Sequence, residues 1–274
     1  MRHCSAFLAE LDRFGTVARC KMKRIAIFAH YDAAGEVKPY ILTYLKALRA
    51  HCDAIAFVST ATLPEHQLAK VRDFCATATL RENVGLDFCM WQAALGSLDL
   101  SDADELLLAN SSVFGPVFPL GPIFEQMSRR ECDFWGMTDS YEIAWHLQSY
   151  FLLFKRAAFT SERFKTFFRS VLPYRDKDQV IRSYELGLTR FLEEGGLVPA
   201  AFVPMAAWVK SESGKRRLRA RRRNATAFYP MELLHAGMPL VKVQLLRDNP
   251  GKVRLKPVLR TMGELGYDLT QIQY

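Results

Sequence analysis

Short, fully apolar runs alternate with amphipathic segments along much of this chain. The first run, Ile25–Ala29, precedes a segment whose apolar residues recur at helical spacing over Ile41–Leu48, and a second run follows at Ala54–Ser59. A strand that is apolar at every position is buried on both faces, as in a parallel sheet covered by helices. The alternation therefore predicts an α/β fold with a mostly parallel sheet flanked by helices.

Further apolar runs and composition changes divide the rest of the chain. We expect strands over residues 76–80, 104–109, 133–140 and 149–155, and helices over 158–171 and 177–194. Three units are predicted: an N-terminal helical extension over 1–22, the sheet domain over 23–210, and a basic loop with a C-terminal appendage over 211–274 that packs on the same domain.

Positive charge is concentrated in one run, Lys215–Arg223. The chain has 37 Lys plus Arg against 29 Asp plus Glu, a formal net charge of +8, and this run holds seven of the positive charges. The remainder is nearly neutral and the run lacks aromatic side chains for base stacking, so a nucleic-acid partner is not expected. The run is a solvated loop, a tether to anionic lipid head groups, or a site for a lipid-linked pyrophosphate.

Cysteine spacing and hydropathy bear on the compartment. The six cysteines are scattered without C-x-x-C pairs, and no apolar run reaches the length of a membrane span. The first residues lack the continuous apolar stretch of an export signal. We therefore expect a cytoplasmic protein, with the basic run available for peripheral contact with the inner face of the cytoplasmic membrane.

Polar residues follow the apolar strands, at the positions where open α/β sheets bind ligands. The chain has no Walker lysine loop, no G-x-G-x-x-G after a strand, no G-x-S-x-G and no H-E-x-x-H, so the enzyme classes that use them are disfavoured. The polar candidates after the strands are His30, Tyr31 and Asp32; Arg81, Asn83, Gly85 and Asp87; Asn110, Ser111 and Ser112; and Asp139.

Two of these groups have a structural explanation as well as a functional one. Asp87 is either a first-turn acid that complements a helix dipole or a contact to the base or ribose of a nucleotide. Asn110–Ser112 form either a strand-to-helix turn with capping residues or a diphosphate site, because hydroxyls, an amide and backbone N–H groups at a helix start bind phosphate.

Glu185 lies at the edge of an apolar helix stripe that includes Tyr184 and Leu188. A carboxylate there is costly unless it is paired or used. Glu185 is therefore either in a salt bridge with Arg182 or Arg190, or a general base. His146 also has two explanations: it is a core histidine, or it contacts the leaving phosphate or an acceptor sugar.

A series of motifs runs in order along most of the chain. They are AIFAHYDAAGEVKPYILTYLKAL, RENVGLDFCMWQAAL, DELLLANSSVFGP, DFWGMTDS, HLQSYFLLFKR, SYELGLTRFLEEGG and MPLVKVQLLRDNP. Together they resemble the rhamnan synthesis F family, bacterial glycosyltransferases that help to build rhamnose-containing cell-surface polysaccharides. That family is similar to GT-A enzymes, whose Rossmann-type nucleotide-binding sheet takes a sugar nucleotide and whose inverting branch uses a carboxylate base on a late helix. By this resemblance the base is Glu185.

The resemblance breaks at one position. After the DELLL strand the family usually has Asn-Asp-Ser, whereas this chain has Asn110, Ser111 and Ser112. In GT-A enzymes an acid here typically holds the divalent ion that bridges the diphosphate, so a need for Mg²⁺ or Mn²⁺ stays open. Asp139 or Asp32 is an alternative ligand, and Lys242 or the arginines are an alternative source of positive charge.

The resemblance implies an inverting glycosyltransferase. It would move rhamnose or another hexose from a nucleotide diphosphate donor, with dTDP-rhamnose the expected donor, to a lipid-linked cell-surface glycan. Glu185 and Asp139 are the catalytic candidates, and His146, Gln148 and Lys242 are candidates for binding the acceptor or phosphate. The alternative is a non-catalytic module that binds a sugar nucleotide or glycan without transfer.

Overall fold

The computed structural model describes residues 22–209 and 223–272. The strands are β1 (Arg24–His30), β2 (Ala54–Ser59), β3 (Thr77–Leu80), β4 (Glu105–Asn110), β5 (Val113–Phe114), β6 (Phe134–Ser140), β7 (His146–Leu147), β8 (Phe151–Lys155), β9 (Pro199–Val203) and β10 (Val241–Lys242).

Helices connect these strands and cover both faces of the sheet. They are α1 (Pro39–Arg49), α2 (Glu65–Arg72), α3 (Leu86–Leu95), α4 (Leu120–Ser128), α5 (Arg156–Phe159), α6 (Glu162–Arg169), α7 (Lys177–Val180), α8 (Leu186–Glu193), α9 (Met205–Val209), α10 (Ala225–Phe228), α11 (Pro230–His235), α12 (Val243–Arg247) and α13 (Leu255–Glu264). A π-helical turn, Ile181–Glu185, joins α7 to α8, and a 3₁₀ turn, Leu269–Gln271, follows α13.

Within the described residues, eight strands form one sheet with the order β3-β2-β1-β4-β8-β6-β7, and β9 also pairs with β6. The β1–β2, β1–β4, β2–β3 and β6–β9 pairs are parallel, whereas β8 and β7 run antiparallel to their neighbours. The parallel strands finish at one end of the sheet, the carboxyl end, where His30, Asn110 and Ser140 lie. The predicted fold class, an α/β fold with a mostly parallel sheet flanked by helices, is confirmed.

The residues of β1 alternate between two apolar cores, because successive side chains of a strand point to opposite faces. Ala26 and Phe28 belong to the core that α1 and the C-terminal helices cover, while Ile25, Ile27 and Ala29 belong to the core beneath α3 and α6. Both faces of the strand are thus buried, which explains why the run is apolar throughout.

Three details of the second half of the sheet domain differ from the expected elements. The expected helix over 158–171 is two helices, α5 and α6. The Ser161 hydroxyl accepts a hydrogen bond from the Phe164 N–H and caps the N-terminus of α6. The expected helix over 177–194 contains the π-helical turn. Strand β9 lies in an apolar, proline-containing run that the sequence did not mark as a strand.

Residues 223–272 pack on the face of the sheet that α1 also covers. Strand β10 pairs antiparallel with β5 and places Lys242 opposite Val113. Leu234 and Met262 lie in the same apolar core as the residues of β1 on that face. The C-terminal segment therefore contributes a basic residue directly beside the strand-to-helix turn that follows β4.

One expected unit, and the basic run of another, lie almost entirely outside the described residues. The N-terminal extension over 1–22 is described only at Met22, and the basic run Lys215–Arg223 only at Arg223. The Arg223 guanidinium carbon lies 4.8 Å from the centre of the Phe228 ring. Among the described helices, none combines the length and the apolar character that crossing a bilayer requires.

Candidate functional site

The carboxyl ends of β1 and β4 are neighbours, as the strand pattern predicts. In the parallel register His30 pairs with Ser59, and Ala29 pairs with Asn110. His30, Asn110 and Asp139, which lie at the ends of three strands, are all buried. The sheet thus gathers polar side chains at one end and removes them from bulk water.

Asn110 connects the turn after β4 to the first turn of α3. Its side-chain N–H donates to Asp87 Oδ2 at 2.7 Å, and its Oδ1 accepts from the Ser112 backbone N–H at 3.1 Å and from the Ser112 hydroxyl at 2.5 Å. Asp87 lies in the first turn of α3. The acid therefore complements the helix dipole and also fixes Asn110, while its contact to the base or ribose of a nucleotide stays a prediction.

The loop after β1 lies against the same turn. The Tyr31 N–H donates to Ser111 Oγ at 3.4 Å, and the Tyr40 hydroxyl donates to the Ser111 carbonyl at 3.1 Å. The Tyr31 side chain is half exposed. Asp32 Oδ1 accepts from the backbone N–H groups of Ala34 and Glu36 at 2.9 and 3.2 Å, so this carboxylate shapes the loop.

His30 is held as a neutral side chain beneath this loop. It is 1% exposed, and its Nδ1 lies 2.9 Å from the Ser59 hydroxyl. Burial lowers the pKa of His30 to about 4, although the nearby Asp32 carboxylate acts in the opposite direction. A neutral imidazole at neutral pH supports the loop through packing and hydrogen bonding, without adding charge to the site.

The loop between β3 and α3 holds the other predicted donor residues. The Arg81 guanidinium donates to the Cys89 carbonyl, and the Arg81 N–H donates to the Ser59 carbonyl at 3.0 Å. Asn83 is exposed, whereas Gly85 is buried in the left-handed conformation with φ of 74°. Arg81 and Gly85 thus shape the approach to α3, and Asn83 faces solvent on the loop.

Glu185 is the last residue of the π-helical turn, and its Oε1 accepts the Ser149 N–H at 3.1 Å. Ser149 precedes β8, so this hydrogen bond brings the late helix to the carboxyl end of the sheet. Of the two proposed salt-bridge partners, Arg190 instead pairs with Glu194 at 2.7 Å. π-helical turns occur frequently at functional sites.

A hydrogen-bond network lies next to Glu185 and is centred on Tyr150. The Tyr150 hydroxyl lies 2.6 Å from Thr138 Oγ1, which donates to Gln148 Oε1 at 2.7 Å, and Gln148 Nε2 donates to Asn224 Oδ1 at 3.1 Å. Burial raises the pKa of Tyr150, and the charges of Glu185 and Asp139 raise it further. Both predicted catalytic acids are therefore close enough to Tyr150 to act on it electrostatically.

Asp139 and His146 adjoin this network along the chain, since Asp139 follows Thr138 and His146 lies two residues before Gln148. Asp139 is 3% exposed; its Oδ1 accepts from the Met205 N–H at 2.6 Å and its Oδ2 from the Trp145 indole N–H at 3.0 Å. Burial raises the pKa of Asp139. His146 is also buried, with Nδ1 2.9 Å from the Ala144 carbonyl. Both oxygens of Asp139 thus hold neighbouring segments, a geometry that fits positioning better than proton transfer.

Lys242 completes the site from the C-terminal segment. Its ammonium donates to Ser112 Oγ at 3.1 Å and lies 4.3 Å from the centre of the Tyr150 ring. The sequence singled out Lys242 but missed Tyr150, Thr138 and Tyr40. The signal for Tyr150 was a tyrosine at the start of an otherwise apolar strand, because a buried tyrosine hydroxyl needs a hydrogen-bond partner.

The donor set of the turn after β4 does not fit a divalent cation. Hard cations such as Mg²⁺ and Mn²⁺ prefer carboxylate oxygens. The turn after β4 offers an amide and two hydroxyls, and the ammonium of Lys242 lies against one of those hydroxyls. Among the described residues, no group of three or more His, Cys, Asp or Glu side chains is arranged to hold a metal ion.

Two solved structures have a limited likeness to the chain. The glycosyltransferase GlyE of Streptococcus pneumoniae TIGR4 covers 91% of this chain and 63% of its own at 12% identity and a TM-score of 0.44. The inositol-1-phosphate CTP transferase of T. maritima covers 67% of this chain and 86% of its own at 10% identity and a TM-score of 0.40. Likenesses at this level assign no activity to the chain.

Sequence relatives give a clearer result. Virulence protein VirA of Vibrio anguillarum is 29% identical over 215 residues, which are 69% of this chain and 69% of that protein. Protein y4gN of Sinorhizobium fredii is 26% identical over 172 residues, or 61% of this chain and 45% of y4gN. The family model of rhamnan synthesis protein F matches residues 55–269, well over half of the chain. The expected resemblance is confirmed, and the chain belongs to the rhamnan synthesis protein F family.

Proposed function

We propose that this protein is a glycosyltransferase that moves a hexose from a nucleotide diphosphate donor to the hydroxyl group of a glycan, with inversion at the transferred carbon. The observation that carries the proposal is the position of Glu185, a carboxylate held by the Ser149 N–H at the carboxyl end of the sheet. Ligands of open α/β sheets bind at that end. Membership of the rhamnan synthesis protein F family supports the same class of reaction.

The donor binds along the turn after β4 and the loops beside it. The half-exposed Tyr31 ring offers a face to a nucleobase, while Ser111, Ser112 and Lys242 surround the diphosphate. Asp87 and Asn110 hold that turn through their hydrogen bond at 2.7 Å. In this assignment His30, Asp32, Arg81, Asn83 and Gly85 shape or border the donor loops.

The reaction is a single displacement at the anomeric carbon. The oxygen of the acceptor hydroxyl attacks that carbon, and its proton passes to the Glu185 carboxylate. The bond between the anomeric carbon and the diphosphate oxygen breaks, and its electron pair leaves with the nucleoside diphosphate. Asp139 positions the Trp145 and Met205 segments through its two hydrogen bonds, and we assign His146 and Gln148 to the border of the acceptor site.

The finer identity of the substrates belongs to the same proposal. Rhamnose is the proposed sugar, because the family is named for rhamnan synthesis. The proposed donor is dTDP-rhamnose, and the proposed acceptor is a lipid-linked cell-surface glycan. The basic run Lys215–Arg223 would bring the protein to an anionic cytoplasmic membrane face, since each basic residue near such a surface contributes about 1 kcal/mol.

The test is Glu185→Gln, which keeps the size of the side chain but removes its capacity as a base. Removing a general base slows transfer by about 10² to 10⁴-fold. We expect this loss in the release of nucleoside diphosphate in the presence of acceptor, with donor affinity in calorimetry nearly unchanged. Glu193→Gln, an exposed acid at the end of the same helix, is the matched control and should transfer normally.

Other outcomes separate the two functions that the sequence allows. Normal transfer by Glu185→Gln would show that another group is the base. Donor binding by the wild-type protein without transfer to any glycan acceptor would favour a non-catalytic binding module. The replacement of the usual acid by Ser111 is the feature that makes this second function worth testing.

A further inference from the structure

Lys242 is brought to the turn after β4 by a long-range strand pairing. Strand β10 pairs with β5, the Val243 N–H donates to the Ser112 carbonyl at 2.9 Å, and Lys242 lies opposite Val113. The backbone of the C-terminal segment is thus bonded directly to the turn. The position of the lysine is therefore set by main-chain contacts as well as by its own side chain.

The Tyr150 ring holds the ammonium of Lys242 beside the turn after β4. The ammonium lies 4.3 Å from the ring centre, within the range of a cation–π contact. The ring itself is fully buried and anchored through its hydroxyl to Thr138 at 2.6 Å. A positive charge held between a rigid aromatic face and the Ser112 hydroxyl is preorganised for an anion.

A diphosphate site that uses a metal ion needs negatively charged oxygens to hold the cation. This turn instead carries an amide, two hydroxyls and the neighbouring Lys242 ammonium. A divalent cation here would lie among neutral oxygens and next to an ammonium, which repels it. The Asp87 carboxylate reaches this turn by accepting a hydrogen bond from the Asn110 side-chain N–H at 2.7 Å, and it thereby holds the turn. The same arrangement suits a diphosphate, whose oxygens accept hydrogen bonds from an ammonium and from hydroxyls.

The geometry points to metal-independent binding of the donor diphosphate, with the Lys242 ammonium supplying the positive charge. This inference rests on the proposed function, because it concerns the diphosphate of the same donor. When the bond to the anomeric carbon breaks, negative charge grows on the leaving nucleoside diphosphate, and Lys242 stabilises it by charge and hydrogen bonding. No proton needs to move to the leaving group.

The experiment measures nucleotide binding to the full chain by calorimetry in EDTA and in Mn²⁺. The probes are dTDP and UDP. Thymidine and uridine, which lack the diphosphate, are the matched control ligands. We expect the wild-type protein to bind whichever of dTDP and UDP it binds more tightly with equal affinity in EDTA and in Mn²⁺. Lys242→Gln should weaken that affinity by about ten- to a hundredfold, because a hydrogen bond to a charged group is lost, and should leave nucleoside affinity unchanged.

Two further variants separate charge from structure. Lys242→Arg retains the positive charge and should retain most of the diphosphate affinity, whereas Lys256→Gln removes an exposed lysine of α13 and should change nothing. Unchanged nucleoside binding by Lys242→Gln shows that the variant is folded. Loss of diphosphate binding in Lys242→Arg as severe as in Lys242→Gln would contradict a role for charge.

The outcomes also distinguish this inference from the proposed function. Diphosphate binding that requires Mn²⁺, or that Lys242→Gln leaves intact, overturns metal-independent binding while the proposed transfer stands. Absence of binding by the wild-type protein to both diphosphates and to their sugar nucleotides overturns the proposed function, and this inference with it.

Discussion

His30 shows how a single buried group makes stability depend on pH. Its imidazole lies between the Ser59 hydroxyl at 2.9 Å and the Phe57 ring, whose centre is 5.1 Å away. Burial holds its folded-state pKa at about 4, well below the ordinary value of 6.5. The unfolded chain therefore binds a proton between these two pH values while the folded chain does not, and folding is disfavoured there.

The predicted result is a loss of stability as the pH falls from about 6.5 toward 4. Between pH 7 and pH 5 the contribution of His30 falls by about 2 kcal/mol. Urea unfolding at these two pH values should show a steeper loss for the wild type than for His30→Gln, which does not titrate. The comparison with the variant removes the contributions of other groups, and equal losses in the two proteins would contradict the assigned pKa.

Ser111 and Lys242 show that a sequence motif does not predict which distant residue lies beside it in the fold. The sequence shows that the acid expected after the DELLL strand is missing, and it offers Lys242 as one of several replacements. Ser112 and Lys242 are 130 positions apart along the chain, yet their side chains are 3.1 Å apart. The β5–β10 pairing, which involves two residues on each strand, brings them together.

At the scale of elements, the start of α3 sets the geometry next to the turn that follows β4. Gly85 precedes the helix with a φ of 74°, and Asp87 in the first turn bonds Asn110 at 2.7 Å. A Cβ atom added at Gly85 would lie 2.0 Å from Cys89 Sγ and 3.0 Å from Pro173 Cα. The position therefore requires glycine, both for its backbone conformation and for the lack of space.

Gly85→Ala is expected to destabilise the protein by about 2 kcal/mol or more, since the left-handed conformation alone costs about 1 to 2 kcal/mol for alanine. Gly96→Ala, at the other end of the same helix, is the matched control: its φ is −72° and the nearest atom to an added Cβ is 3.5 Å away. We expect that variant to be neutral or more stable by under about 1 kcal/mol. Urea unfolding measures both, and similar effects at the two glycines would contradict the account.

Elements whose signal is local were predictable, and those set by distant contacts were not. β1, β2 and β4 are apolar at every interior position, so their burial in a parallel sheet could be predicted. β9 could not, because its run reads equally as a buried helix or strand until it pairs with β6. The Gln148–Asn224 bond likewise joins residues 76 positions apart.

At the scale of the whole molecule, the C-terminal segment and the sheet share one apolar core. Leu245 and Val258 are buried in the same cluster as Phe57 and Tyr44. The Thr43 hydroxyl of α1 also donates to Gln271 near the end of the described chain at 2.7 Å. Because Lys242 lies within this segment, binding of an anion at the turn after β4 involves both parts of the molecule and should stabilise them together.

We propose that the carboxyl end of the sheet binds a nucleotide diphosphate sugar. This binding is tested by the thermal unfolding midpoint of the wild-type protein with dTDP-rhamnose, UDP-glucose and GDP-mannose, alongside free sugars and nucleosides. A donor at about 100 times its Kd adds about 2.7 kcal/mol, or roughly 5 to 10 °C for a chain of this size. We predict such a rise with one class of nucleotide diphosphate sugar and only small shifts with the free sugars. No rise with any nucleotide diphosphate sugar at millimolar concentration would contradict the claim.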